Sequence, residues 1–289
     1  MKLFIFSISF CLLVSGCGSS DNPNNNNNNQ NNTSNNTNNN TNNTNNTLGE
    51  YTIPVNTTWN WQLSVTPPDL SDDFEMYDID LFEITPNEIQ TIHEAGALVI
   101  CYFSAGSFEE WREDANDFTV SDIGNELDGW DGENWLNISS DTVKNIMENR
   151  LDLAVEKGCD GVEPDNIDGY TNDSGFDLSY EDQLLYNIWL ANEAHLRGLS
   201  IGLKNDGDQV VDLINYFDWA LNEECVYYNE CHLYRAFIEA GKAVFHVEYV
   251  DNETEGNSLA DSVCNDSQRQ NFSTLIKKWD LDYWFLTCN

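Results

Sequence analysis

Three short stretches place acids, a lysine and amides where apolar runs end. GCDGVEPDNIDGY (158–170) carries Glu163, Asp165, Asn166 and Asp168; SIGLKN (200–205) ends in Lys204 and Asn205; FDWALNEEC (217–225) ends in Glu223, Glu224 and Cys225. Charge is costly to bury, so acids that close an apolar run mark either chemistry or a solvated rim. Two carboxylates held a few ångströms to about a nanometre apart can cleave a glycosidic bond, one as acid and the other as nucleophile or base. A lysine between them favours the ionised form of its neighbour. Each residue alone has a plainer reading: a rim acid, an N-cap for the next helix, or, for Lys204, a structural ion pair. Convergence of Asp165, Lys204, Asn205 and Glu223 from three successive run ends favours the reactive reading. Other chemistries lack their signatures. No H-E-x-x-H, G-x-S-x-G, phosphate loop or dinucleotide fingerprint is present. DNIDGYTND matches a calcium loop poorly because Ile167 takes a ligand position.

The elements that must position these groups follow from periodicity. Eight runs read as strands: 58–64, 76–82, 98–106, 161–166, 200–205, 217–225, 243–250 and 283–288. Several are almost continuously apolar, as in a parallel sheet covered on both faces. Between them lie amphipathic helices. Thr85-Pro86-Asn87-Glu88 is a capping box with proline in the first turn. Residues 140–157 put Val143, Ile146, Met147, Leu151 and Ala154 on one stripe, and Ser179 with Asp182 opens a helix carrying Leu185, Ile188 and Trp189. Gly96, Gly158, Gly198 and Gly241 each stand between a helix and the next strand. The repeated helix–glycine–strand unit predicts an α/β fold, a (βα)8 TIM barrel, whose active sites sit at the C-terminal strand ends. An insert at 107–139, rich in tryptophan and acids, is predicted to overlie that face. Strand alternation turns one of Glu223 and Glu224 inward. Trp59 and Trp61 alternate on the first strand, for sugar stacking or for barrel packing. His246, inside the seventh run, reads as a core residue.

Outside the barrel, residues 1–16 pair Lys2 with an apolar run too short to span a bilayer, as in a secretory signal. Val14-Ser15-Gly16-Cys17 resembles a bacterial lipobox, which makes Cys17 a lipidation site and the chain an exported lipoprotein of the cell envelope, at the outer membrane or cell surface. Residues 17–50, mostly Asn and Thr, read as a flexible lipid-anchored linker; residues 51–289 form one domain. With 12 Lys and Arg against 50 Asp and Glu, the formal charge is −38. That excludes nucleic acid as a partner, which needs clustered cations. It suits a cationic partner, or simply solubility in salty surroundings. Of the six cysteines after Cys17, Cys225 with Cys231 and Cys264 with Cys288 are the preferred pairs, and Cys101 and Cys159 read as buried thiols. No spacing suggests a zinc site.

The segments WNWQL, YDIDLF, VICYFSAGSFEEWRED, KGCDGVEPDNIDGY, SIGLKND and FDWALNEEC together resemble glycoside hydrolase family 114, the endo-α-1,4-polygalactosaminidases, in order across residues 55–250. Residues 251–289 match less distinctly. The resemblance implies a TIM barrel, cleavage of α-1,4-linked galactosamine in cationic, partly deacetylated galactosaminan, no cofactor and no metal. It also implies Asp165 and Glu223 as the catalytic pair. The expected mechanism is retaining, with Lys204 keeping Asp165 ionised and a drier or more acidic setting keeping Glu223 protonated; a carboxylate separation of roughly 6.5 to 9.5 Å would make it inverting instead. A monomer is expected. Candidate substrate contacts are Trp59, Asp78, Asp80, Tyr102, Glu163, Asn166, Asp168, Lys204, Asn205, Glu224 and Glu248, with Asp114 from the insert. Alternatives are a non-catalytic polysaccharide-binding lipoprotein and a barrel glycosidase for another α-linked sugar.

Overall fold

The computed structural model describes residues 53–65 and 67–288. The predicted signal, Cys17 and the Asn/Thr tract lie outside them. The elements run β1 (Trp59–Gln62), β2 (Met76–Asp80), α1 (Pro86–Ala95), β3 (Leu98–Ser104), β4 (Ser107–Glu109), β5 (Ile123–Glu126), β6 (Glu133–Leu136), α2 (Asp141–Lys157), β7 (Gly161–Asp165), α3 (Tyr180–Leu196), β8 (Ser200–Lys204), α4 (Val210–Leu213), β9 (Trp219–Glu223), α5 (Cys225–Tyr228), α6 (Arg235–Glu239), β10 (Val244–Val250), α7 (Glu253–Val263), β11 (Ser273–Lys278) and β12 (Leu286–Thr287). One nine-stranded sheet has the order β1-β2-β3-β7-β8-β9-β10-β11-β12, parallel except for β12. It curls and carries helices, consistent with a TIM-like barrel. The insert forms its own antiparallel sheet, β4-β6-β5. Among the described residues no helix is long and apolar enough to cross a membrane.

The two ends of the parallel run are tied by side chains. Trp59 Nε1 donates to the Ser273 carbonyl at 2.9 Å, and Lys277 Nζ to Asn60 Oδ1 at 3.2 Å. Inside the curl, Trp59, Trp61, Trp219, Phe245, Leu221 and Val247 pack together. Gly202 makes room for this: a Cβ there would lie 2.2 Å from the Trp219 ring. A second apolar layer joins the outward strand faces to the helices. In α2 the expected stripe is buried, and Arg150 lies buried with it. The capping boxes at Thr85 and Ser179 both form. Gly96 and Gly158 end α1 and α2 at φ 94°, a conformation any β-carbon opposes.

Three expectations are corrected. The eighth parallel strand is β11, STLIKK, not 283–288, of which only Leu286 and Thr287 pair, antiparallel to β11. STLIKK looks too polar for a barrel strand. Its Ser273, Thr274 and Lys277 are nonetheless buried, the lysine satisfied by Asn60 and by the Asp282 carbonyl at 2.6 Å. In α3, Leu185 is exposed, and the buried face is formed by Tyr186, Asn187, Leu190, Ala191 and Ala194. Lastly, Cys101 and Cys159 are not thiols but a disulfide with Cα atoms 6.0 Å apart, linking β3 to the segment between α2 and β7. That proximity comes from the β3–β7 pairing, which 58 residues of separation conceal. Bridges also join Cys225 to Cys231 and Cys264 to Cys288.

Replacing both Cys101 and Cys159 with alanine should lower stability by about 2–5 kcal/mol. Urea denaturation of the oxidised proteins checks this, and an unchanged midpoint would show that the bridge does not form.

Candidate active site

β7, β8 and β9 stop at Asp165, Lys204 and Glu223, and each is followed at once by a left-handed residue: Asn166 at φ 60°, Asn205 at φ 48° and Glu224 at φ 61°. For L-residues this conformation costs roughly 1–2 kcal/mol. Local bonds hold it. Asn166 Nδ2 donates to Ser104 Oγ at 2.9 Å and its backbone N–H to Asp165 Oδ1 at 2.8 Å. Asn205 Oδ1 accepts the Glu223 N–H at 3.0 Å while its Nδ2 donates to Glu223 Oε2 at 3.0 Å. Gly106 lies so close that a Cβ would fall 1.7 Å from the Asn166 carbonyl oxygen. The abrupt turns leave three polar side chains aimed across one cleft.

Lys204 is at the centre. Its Nζ stands 2.9 Å from Glu163 Oε1, 3.0 Å from Asp165 Oδ1 and 3.4 Å from Glu223 Oε2, and 4.7 Å from the centre of the Trp61 ring. The side chain is 1% exposed. Burial alone pulls an ammonium's pKa down, but Asp165, Glu163 and Glu223 outweigh it and hold Lys204 well above the usual lysine value. Tyr102 donates to Asp165 Oδ2 at 3.1 Å, and Tyr249, at the end of β10, donates to Glu223 Oε1. Glu223 is 27% and Asp165 18% exposed on their side chains, so Glu223 does not occupy a drier setting.

The cleft encloses about 580 Å³. Eight acidic side chains line it against Lys204 and Arg112, and Arg112 is already engaged by Glu109 and Asp80 at 2.6–2.9 Å. The insert contributes half-exposed Trp111 and Trp130 to the walls, and Trp279 stacks on Tyr249 at 4.2 Å. Glu133, on β6, is pushed to about 7 by burial, reinforced by Glu109 and Asp165 against the Ser107 hydroxyl bond. Asp168 is raised to about 6 by burial and then by Asp165. Beneath, Arg150 grips Asp114 at 2.8 and 2.9 Å and the Ser104 carbonyl at 2.6 Å, tying the insert to β3.

Of the expected site residues, Asp80, Tyr102, Asp165, Asn166, Asp168, Lys204, Asn205 and Glu223 line the cleft. Asp80 and Asp114 are spent on arginines. Trp59 is buried between β1 and β11, and Trp61 reaches the cleft instead. Asp78 and Glu163 are completely buried behind Lys204. Glu248 is buried, accepting from the Val226 N–H at 2.8 Å and facing His246 Nε2 at 2.9 Å; His246 is a core residue that also contacts Thr274. Glu224 does not line the cleft; burial and then Glu248 raise it to about 7. Sequence reasoning missed Tyr249, Glu133, Trp111, Trp130 and Trp279. Tyr249 had a readable signal, since strand alternation places it two residues beyond Val247. Glu133, Trp111 and Trp130 depend on how the insert folds, and Trp279 on the chain that follows β11.

Glu133, Glu224 and Asp168 have folded pKa values above the ordinary carboxylate values of about 4. The folded state therefore holds their protons more tightly, and this stabilisation, complete below the unfolded pKa, is lost as pH rises through about 6–7. The melting temperature should fall between pH ~5 and ~8, and Glu224→Gln should flatten that slope; an identical slope in the variant would remove Glu224 from the account.

A profile described as glycoside-hydrolase family GH114 matches residues 37–289. The crystal structure of Aspergillus fumigatus Ega3 in complex with galactosamine is 47% identical, with a TM-score of 0.79, over 82% of this chain and 97% of that one. The glycoside hydrolase domain of PelA from Pseudomonas aeruginosa superposes with a TM-score of 0.66 at 13% identity, over 80% and 98% of the two chains. Eubacterium rectale Amy13B does so at 0.52 and 10%, over 80% and 67%; these two share the fold. No curated protein matches significantly. A cleft with paired strand-end carboxylates, the matching profile and the likeness to Ega3 agree: the chain is a glycoside hydrolase and belongs to family GH114.

Proposed function

We propose that the enzyme is an endo-acting hydrolase of α-1,4-linked galactosamine in partly deacetylated galactosaminan, working by double displacement with retention on a (βα)8 barrel. The observation that carries the mechanism is the ammonium shared by Asp165 and Glu223. At 3.0 and 3.4 Å from one nitrogen, the two acids are drawn toward each other by a shared cation, which supports the closer carboxylate spacing of retaining enzymes over the wider spacing of inverting ones.

Asp165 attacks the anomeric carbon while Glu223 protonates the leaving oxygen. Glu223 then takes a proton from water, which attacks the glycosyl ester and frees Asp165. In the first step Asp165 loses its negative charge as Glu223 gains one. Lys204 touches both, so its electrostatic support passes from one to the other without moving. The Tyr249 hydroxyl serves either state of Glu223, donating to the carboxylate and accepting from the acid. The acidic lining supports a polymer bearing ammonium groups, as does the galactosamine bound by Ega3. Trp111, Trp130 and Trp279 offer stacking faces for successive sugar rings. The lipobox-like segment and the Asn/Thr tract support export, a lipid anchor at Cys17 and action at the cell surface.

Glu223→Gln should lower turnover by about 10²- to 10⁴-fold and Asp165→Asn by at least as much, with circular dichroism unchanged. Near-normal turnover in either removes that residue from the mechanism. NMR of the first-formed product on deacetylated oligomers should show the α-anomer; a β-anomer makes the enzyme inverting. Faster cleavage of fully acetylated or neutral galactan would overturn the amine reading.

A further inference from the structure

Asp78 and Glu163 hold four carboxylate oxygens in the barrel interior, both side chains at 0% exposure. Asp78 stands beside Trp61 in the β1–β2 register, and Glu163 lies on β7 across the intervening β3. Lys204 takes Glu163 Oε1 at 2.9 Å. Neither oxygen of Asp78 nor Oε2 of Glu163 meets a donor among the described residues. Each acid nonetheless bears directly on the ionisation of the other. Two ionised carboxylates cannot keep three oxygens without a donor away from water; one proton between them supplies the missing donor as an acid-to-carboxylate hydrogen bond.

We propose that Asp78 is a permanently protonated positioning residue that donates its proton to Glu163 and thereby fixes Glu163 as the rear anchor of Lys204. The proposal rests on Asp165 and Glu223 as the reacting pair. Its logic lies in the lysine's valence. An ammonium has three N–H donors, and Lys204 has three carboxylate oxygens at 2.9, 3.0 and 3.4 Å. One donor points back to Glu163, leaving two for the acids that exchange charge during the reaction. Glu163 keeps its place only if its other oxygen is held, and the Asp78 proton holds it. The charged groups that bear on the pair are Asp165 on β7 and Lys204 on β8; Glu223 on β9 bears on the lysine, whose uncharged neighbours are Trp61 and Tyr102. The directions agree: burial and then Glu163 put Asp78 well above the carboxylate range, and burial raises Glu163 to about 7 against the pull of Lys204. The proton is not transferred in catalysis, so the pair is distinct from the acid Glu223.

The test compares three variants. Infrared difference spectra of wild type minus Asp78→Asn at pH ~7, where an ordinary carboxyl is ionised, should contain a carboxylic-acid C=O band that has gone in the variant. Asp78→Asn, whose amide can donate to Glu163 in place of the acid, should keep wild-type kcat and pH profile. Asp78→Leu removes the donor while keeping the branched shape and should lower kcat by about 10- to 100-fold with little change in KM. Glu163→Gln removes one of three charges competing for Lys204, so the acidic limb of kcat/KM should move down by about one pH unit. Absence of the carboxylic-acid band, or equal impairment of Asp78→Asn and Asp78→Leu with an unmoved limb in Glu163→Gln, overturns the proposal. Should Asp78→Leu fail to fold, the band and the Asn and Gln variants decide. The infrared measurement needs no turnover, so its outcome stands apart from that of the Asp165 and Glu223 variants.

Discussion

A single buried ammonium holds together the charged groups of the cleft. Three carboxylates lie within 3.4 Å of Lys204 Nζ, and none of the three could be so crowded in a partly dry cleft without it. The reverse also holds: a lysine 1% exposed on its side chain would lose its proton if those carboxylates were absent. The groups are mutually dependent, and this explains the surrounding hydrogen bonds. Tyr102, Asn166, Asn205 and Tyr249 each secure one of the two acids that face the cleft. Breaking a buried ion pair by removing one member leaves an uncompensated charge, a penalty of about 3–5 kcal/mol, so the cluster resists partial loss.

The curled sheet's role is to bring three strand ends to one point and then turn the chain away. Parallel neighbours β7, β8 and β9 deliver their last residues to one rim, and left-handed Asn166, Asn205 and Glu224 turn the chain at each strand end. Behind that rim the interior is filled by tryptophans and phenylalanine, so the cluster sits on a rigid floor. The insert is fastened by arginines rather than by apolar packing alone. Arg112 and Arg150 each form paired bonds to a carboxylate, and both lie near the Phe82 ring. That arrangement keeps Trp111, Trp130 and Glu133 in the wall of the cleft.

Much of this was legible beforehand, for identifiable reasons. Strands β2, β3, β7, β8, β9 and β10 are short apolar runs, and apolar periodicity survives in one dimension. Helix ends were legible because capping is local: Thr85 with Glu88 and Ser179 with Asp182 lie three residues apart. β11 was hidden because its polar residues are buried through partners far away in sequence, as with Lys277 and Asn60. The Cys101–Cys159 bridge was hidden for the same reason. Among the acids, position at a strand end could be read, but depth could not. Asp78, Glu163 and Glu248 looked like cleft residues and proved to be interior ones.

The sequence by itself determined the alternation of strands and helices, the acid-rich character of the chain and the three strand ends that carry Asp165, Lys204 and Glu223, because these are properties of residue type and local spacing. Tertiary structure alone decided which acids share the lysine, which are buried behind it, and which tryptophans reach the cleft. Those outcomes depend on distances between residues 18 to over 200 positions apart, and on burial, which changes the meaning of a carboxylate from solvated charge to neutral acid or ion-pair partner.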